Sequence, residues 1–176
     1  MEEKIVGTRS IYNGRIVNLY VHEVILPDGQ HSKREVIKHP GAVAIVALDE
    51  ARQVFLVRQF RIGAGRITVE LPAGVLGADE PPEECAQREL QEEIGYKPGK
   101  MQALGGFFNS PAYTSEYIHL YLATELEASK LSQDHDEFLE VLRVPFEEAL
   151  AMIARQEIID AKTIIGLLQV ARQSAL

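Results

Sequence analysis

The densest concentration of reactive groups in the chain lies between Arg88 and Gly95, where RELQEEIG places glutamates at positions 89, 92 and 93. Prolines at 81 and 82 and the glycine at 95 punctuate a helix, because proline suits a first helical turn and glycine a C-terminal stop. Spacing of i, i+3 and i+4 sets the three carboxylates within about a 100° arc of that helix. Ala86, Leu90 and Ile94 form the adjoining apolar stripe, the face that docks on a sheet. Carboxylates crowded beside a core repel one another and require a counter-charge. Hard divalent cations such as Mg2+ and Mn2+ take oxygen ligands and suit this arrangement. A solvated Glu-rich face is the other reading, and the helix alone does not separate the two.

The rest of the chain must supply the frame that holds this helix. It reads as β-rich first and helical last. Residues 4–39 suggest short strands, with an Asn-Gly hairpin signal in YNGR (12–15) and a Pro-Asp-Gly turn in LPDGQ (26–30). The stretch IVNLYVHEVIL between them has strand character. GAVAIVAL (41–48) is a continuous apolar run, which predicts a strand covered on both faces. QVFLVRQFR and ITVELPAG follow as two further strands, and two more are expected near 101–108 and 117–123. After the polar loop LSQDHDE, FLEVLRV reads as a strand, and PFEEALAMIARQ and DAKTIIGLLQVARQ as closing helices. Strands on both sides of a central helix predict an α/β/α layered domain. The expected division is a small N-terminal antiparallel sheet over 1–40 and the main domain over 41–176.

Composition narrows the function classes. The 176 residues are 46% hydrophobic and 25% charged, ordinary for a globular protein able to bury a sizeable core. A net charge of −8 argues against a nucleic-acid partner, which needs basic surface to displace counterions. No apolar run approaches a membrane span, and the charged start MEEKIVGTRS does not suit a secretory leader. Cys85 is the only cysteine, so the chain has no internal disulfide, in keeping with a cytoplasmic location. The five histidines are scattered without zinc-site spacing, and Ser110 and Ser115 lack the setting of a nucleophilic serine.

From Gly74 the sequence runs GVLGADEPPEECAQRELQEEIGY. This resembles the box of the Nudix hydrolases, G-x5-E-x7-R-E-U-x-E-E-x-G-U with U a bulky apolar residue. Gly74, Glu80, Arg88, Glu89, Leu90, Glu92, Glu93 and Gly95 match, with Tyr96 at the last bulky position. The seven fixed identities among these, Leu90 filling a bulky position, coincide by chance on the order of once in 10⁸ starting points. The resemblance implies an α/β/α sandwich around a mixed sheet. It also implies hydrolysis of a nucleoside diphosphate linked to another group, with Mg2+ as cofactor and Mn2+ able to substitute. Glu89, Glu92, Glu93 and the Ala73 carbonyl are then the expected metal ligands. Gly74 allows close approach of the loop backbone, Arg88 orients a carboxylate, and Glu80 anchors the loop or a further metal. Cys85 suits packing better than ligation, since a thiolate is a poor match for Mg2+.

Outside the box the chain resembles the ADP-ribose pyrophosphatase branch of that family. Pro111 stands sixteen residues beyond Gly95, as in that branch, and VRQFR (57–61), ELPAG (70–74) and DAKT (160–163) look alike too. The resemblance makes Arg61 a contact to the substrate's diphosphate or ribose, with Arg58 ranked below it, and Pro111 part of the substrate loop. Tyr113 either touches the terminal ribose or packs. Arg34 and Glu35, in KRE, align with the segment lining the adenine site. The chain has no tryptophan, so the base clamp is expected from Ile16 with Arg34, which leaves guanine open beside adenine and GDP-mannose beside ADP-ribose. A nucleotide-metabolite sensor without turnover is the third reading, but no box carboxylate is missing. A homodimer is implied, the N-terminal sheet completing the partner's site. The general base is expected at Glu137 in SQDHDEF, with Glu92 as the alternative, Asp134 and Asp136 being other acids of that loop.

Overall fold

The computed structural model describes residues 1–132 and 138–174 of the chain. Its residues cluster into two compact units, Met1–Gly41 with Phe108–Tyr117, and Ala42–Phe107 with the chain from Ile118 onward.

In the first unit, β1 (Lys4–Asn13), β2 (Asn18–Ile25) and β3 (His31–Lys38) form an antiparallel sheet in that order. The Asn-Gly signal marks the β1–β2 reversal but not its type. The strands part at Asn13 and Asn18, and Gly14 N–H donates to the Val17 carbonyl across a longer loop. The Pro-Asp-Gly turn forms as expected, with Gly29 at φ 86° and its N–H donating to the Leu26 carbonyl. The segment carrying Pro111 belongs to this unit. It docks on the end of β3 through Ile37 N–H to Tyr113 O and Ser115 N–H to Ile37 O. The Ser115 hydroxyl accepts from His39 N–H.

The second unit is the layered domain. Among the described residues its seven-stranded mixed sheet follows the path β10–β5–β4–β9–β8, with two short strands paired to β5 and β4 off that path. These strands are β4 (Ala42–Leu48), β5 (Gln53–Arg61), β8 (Tyr96–Phe108), β9 (Tyr117–Ala128) and β10 (Leu139–Pro145). Strand β4 is parallel to β9 and antiparallel to β5. Every residue of β4 is buried, as its unbroken apolar run predicts, and the alternation of side chains explains why. Ala44, Val46 and Leu48 pack against Phe146, Ala149 and Leu167 of α2 (Phe146–Ala154) and α3 (Ala161–Ser174). Val43, Ile45 and Ala47 pack on the other face against Cys85, Ala86, Leu90 and Ile94. One strand thus serves two helix layers, and the α/β/α class is as expected.

The stretch ITVELPAG is two strands, not one. β6 (Arg66–Glu70) pairs with β5, and β7 (Ala73–Val75) pairs with β4. Pro72 separates them, and a residue without an N–H interrupts a ladder. Strand β8 begins at Tyr96, earlier than expected, and β9 runs on to Ala128. Among the described residues no helix is long and apolar enough to cross a membrane.

Candidate active site

Helix α1 spans Pro82–Glu89 and continues into a π-helical turn over Leu90–Ile94. Such widened turns recur at functional sites because they re-aim side chains within a helix. Gly95 ends it at φ 77°, a left-handed conformation that glycine adopts without steric cost. The apolar stripe of Ala86, Leu90 and Ile94 docks on the sheet. That docking carries two carboxylates inward, leaving Glu89 only 7% and Glu93 4% exposed. The acidic arc therefore reaches into the core edge, deeper than a flanking position.

Arg88 is the hub of this arrangement. Its Nη1 donates to Glu89 Oε1 and Glu92 Oε2, each at 2.7 Å. Nε and Nη2 form a fork on Glu80 at 2.8 and 3.1 Å. Glu80 in turn accepts from Gly77 N–H at 2.8 Å, so it cinches the loop and holds Arg88 together. Hydrogen bonds from Arg88 drive the Glu80 carboxyl down to about 2, against a smaller opposing effect of burial.

Glu93 Oε2 accepts from Ala73 N–H at 3.0 Å, joining the helix to the start of β7. Gly74 lies directly under Glu89. A Cβ at position 74 would fall 1.9 Å from the Glu89 carboxyl carbon, so only glycine lets the carboxylate sit on the loop backbone. Burial pushes the Cys85 thiol up to about 12, and its Sγ lies 3.6 Å from the Val75 carbonyl. It stays a packed thiol.

The donors at this place are carboxylate oxygens, the chemistry that hard divalent cations select. Gly74 leaves room for them against the backbone. The residues fit such a cation by donor type. Among the described residues, however, no three His, Cys, Asp or Glu side chains stand in metal-holding geometry. Glu89 and Glu92 share the Nη1 of Arg88, which orients both carboxylates.

A second charged cluster stands beside the first. Arg61, at the end of β5, forks onto Glu70 through Nε at 2.8 Å and Nη2 at 2.7 Å. Lys162 Nζ and the Thr68 hydroxyl each reach Glu70 at 2.6 Å. The negative charge of Glu93 also favours the charged Arg61 guanidinium. Burial raises the Glu70 carboxyl, yet Arg61, Lys162 and Thr68 together bring it down to about 2. Its folded value lies below its ordinary 4.5, so the stabilisation is present above that pH and is lost as pH falls toward 2. A shift of that size corresponds to stabilisation on the order of 3 kcal/mol. The wild-type melting temperature should therefore drop between about pH 4.5 and pH 2 more than that of Glu70→Gln. Parallel curves for the two proteins would contradict this.

Arg34, Glu35, Ile16 and Pro111 belong to the first unit. Arg34 lies on β3, bonded to Glu3, Ser32 and the Lys33 carbonyl. Glu35 is exposed on the same strand, and Ile16 is exposed in the β1–β2 loop. Arg34 pairs with His22, four rungs from the Asn18–Lys38 end beyond which Ile16 lies. At strand rise that is roughly 13 Å along one chain. Pro111 is exposed in the loop docked on β3. Arg58 pairs with Glu140 across β5 and β10 at 3.0 Å. Glu137, with Asp134 and Asp136, lies outside the described residues.

Residues 38–165 match the NUDIX domain family, and residues 3–37 match the nucleoside diphosphate sugar hydrolase N-terminal domain. The chain belongs to the Nudix family. It is a Nudix pyrophosphohydrolase, and enzymes of this family generally use divalent metal ions. Over its full length it is 42% identical to an ADP-ribose pyrophosphatase of Bacillus subtilis, covering 96% of that protein. It is 41% identical to a methanol dehydrogenase activator of Bacillus methanolicus, covering 99% of this chain and 96% of that one. A GDP-mannose pyrophosphatase of Klebsiella pneumoniae is 34% identical, covering 93% of this chain and 88% of that protein. Among solved structures, an ADP compounds hydrolase superposes with a TM-score of 0.88 over 99% of this chain and 95% of that one. At 20% identity that likeness speaks to the fold alone.

Glu70, Lys162 and Thr163 are the site residues that sequence reasoning passed over. ELPAG and DAKT drew notice as family-like stretches, but nothing in their spacing joins residues separated by 92 positions.

Proposed function

We propose that this enzyme hydrolyses the pyrophosphate bond of ADP-ribose, with Mg2+, to AMP and ribose 5-phosphate. The observation that carries the reading is the pairing of an intact acidic box with a fixed arginine, Arg61, whose charged form Glu93 favours. Carboxylates at 89, 92 and 93 provide for cations, and Arg61 provides for the phosphate charge those cations leave unbalanced. When bound, such cations neutralise the diphosphate and ease formation of the attacking nucleophile. The full-length likeness to an ADP-ribose pyrophosphatase supports adenosine over other bases. Mn2+ substitutes for Mg2+ in this reading, because both are hard, oxygen-seeking ions. The absence of an internal disulfide supports a cytoplasmic setting.

GDP-mannose is the second reading, favoured by the 34% identical relative and by a base site without tryptophan. Comparing kcat/KM across a panel of nucleoside diphosphate sugars separates them. ADP-ribose should exceed GDP-mannose by about tenfold or more, and the reverse order would transfer the proposal to the guanine compound.

We also propose a homodimer in which the N-terminal sheet contributes Arg34 and Glu35 to the partner's base site. A three-stranded sheet gains stability by covering an apolar face, and this one exposes Ile5, Val6, Ile11 and Tyr12. Sedimentation at micromolar concentration should show a dimer. A fully active monomer would rule the assembly out.

A further inference from the structure

Glu70, Leu71, Pro72 and Ala73, which lead into Gly74, are each held by a different partner. The Glu70 carboxylate takes Arg61, Thr68 and Lys162. Leu71 N–H donates to Thr163 Oγ1 at 2.8 Å, Ile45 N–H donates to the Pro72 carbonyl at 2.9 Å, and Ala73 N–H donates to Glu93. Two of these holds come from the first turn of α3.

That turn is itself fixed. Asp160 Oδ2 accepts from Thr163 N–H at 3.0 Å and from its hydroxyl at 2.6 Å, which is N-capping geometry. The Thr163 hydroxyl has one proton. It gives that proton to Asp160 and must therefore accept from Leu71. Lys162, between them, projects to Glu70 Oε2 at 2.6 Å and to Asp160 Oδ1 at 3.1 Å, with its side chain 14% exposed.

We propose that Lys162 is a positioning residue for hydrolysis, setting the Arg61 guanidinium through the Glu70 carboxylate. The inference rests on the reading above in one respect, that Arg61 meets the substrate's diphosphate. Arg61 grips Glu70 with Nε and Nη2, which leaves Nη1 for a ligand. The plane of a guanidinium fork follows the plane of its carboxylate. A carboxylate held by Arg61 alone would turn with it. Lys162 on Oε2 and Thr68 on Oε1 prevent that turning from the far side. Lys162 does not touch the diphosphate in this account and acts only through Glu70.

A double-mutant cycle tests the proposal with wild type, Lys162→Met, Arg61→Lys and the double variant. Two quantities are read with saturating Mg2+: kcat and KM on ADP-ribose, and the Kd of inorganic pyrophosphate by calorimetry. Lys162→Met should raise both KM and Kd about tenfold and change kcat less than about threefold. In the Arg61→Lys background, where no fork exists to be aimed, the same change should cost less than about threefold. Lys162→Arg should recover KM to within about threefold, and Lys162→Gln replaces Lys162→Met if the methionine variant does not fold. Equal factors in both backgrounds would overturn the proposal, as would unchanged KM and Kd or a wild type that does not bind pyrophosphate. A wild type that binds pyrophosphate but leaves ADP-ribose intact would sink the functional reading alone, and the pyrophosphate cycle would still decide the role of Lys162.

Discussion

Replacing Glu93 by glutamine should lower kcat by about 100-fold or more at saturating Mg2+, while the protein remains folded. The substitution keeps the shape of a side chain that is 4% exposed and bonded to Ala73 N–H. It removes the negative charge and one hard oxygen donor. A hundredfold loss corresponds to about 2.7 kcal/mol of barrier, within what a cation-dependent nucleophile supplies to phosphoryl transfer. Melting temperature and kcat are to be measured on the same preparation. Near-normal turnover would remove Glu93 from the ligand set.

The second large effect concerns the proton acceptor. Glu137→Gln is expected to lower kcat by about 10²–10⁴-fold with little change in substrate or metal affinity, and to abolish the acidic limb of the pH–rate profile. Residue 137 lies outside the described residues, so the argument comes from the sequence SQDHDEF and from the box. Polar loops mounted on a rigid scaffold often carry catalytic groups. Within the box, Glu92 already accepts from Arg88 Nη1 at 2.7 Å, and a carboxylate committed to cations is a poor proton acceptor. If the variant keeps its rate and its pH profile, Glu92 becomes the base.

The box helix was legible because its logic is local. Proline start, apolar stripe, acidic arc and glycine stop all lie within fifteen residues of one another (81–95), and helical periodicity alone relates them. The apolar run of β4 predicted burial on both faces for the same reason. The break at Pro72 was harder to read, since ITVELPAG shows strand composition on both sides and only the choice of partners, β5 for one half and β4 for the other, reveals two strands. The Asn-Gly pair at 13–14 signalled a tight hairpin, yet the strands close at Asn13 and Asn18 and leave a longer loop. The meeting of Arg61, Glu70 and Lys162 was not legible. These residues meet through tertiary packing of α3 on the sheet, and no periodicity links positions 92 residues apart. The base site was legible only by likeness, because no local pattern in the sequence relates Ile16, in the β1–β2 loop, to Arg34 on β3.

Product analysis after incubation of the pure enzyme with ADP-ribose and Mg2+ tests the central claim most directly. AMP and ribose 5-phosphate should appear in equal amounts, and chelation of the metal should abolish both. Absence of turnover with the metal present, or release of ADP and free ribose, would contradict the account.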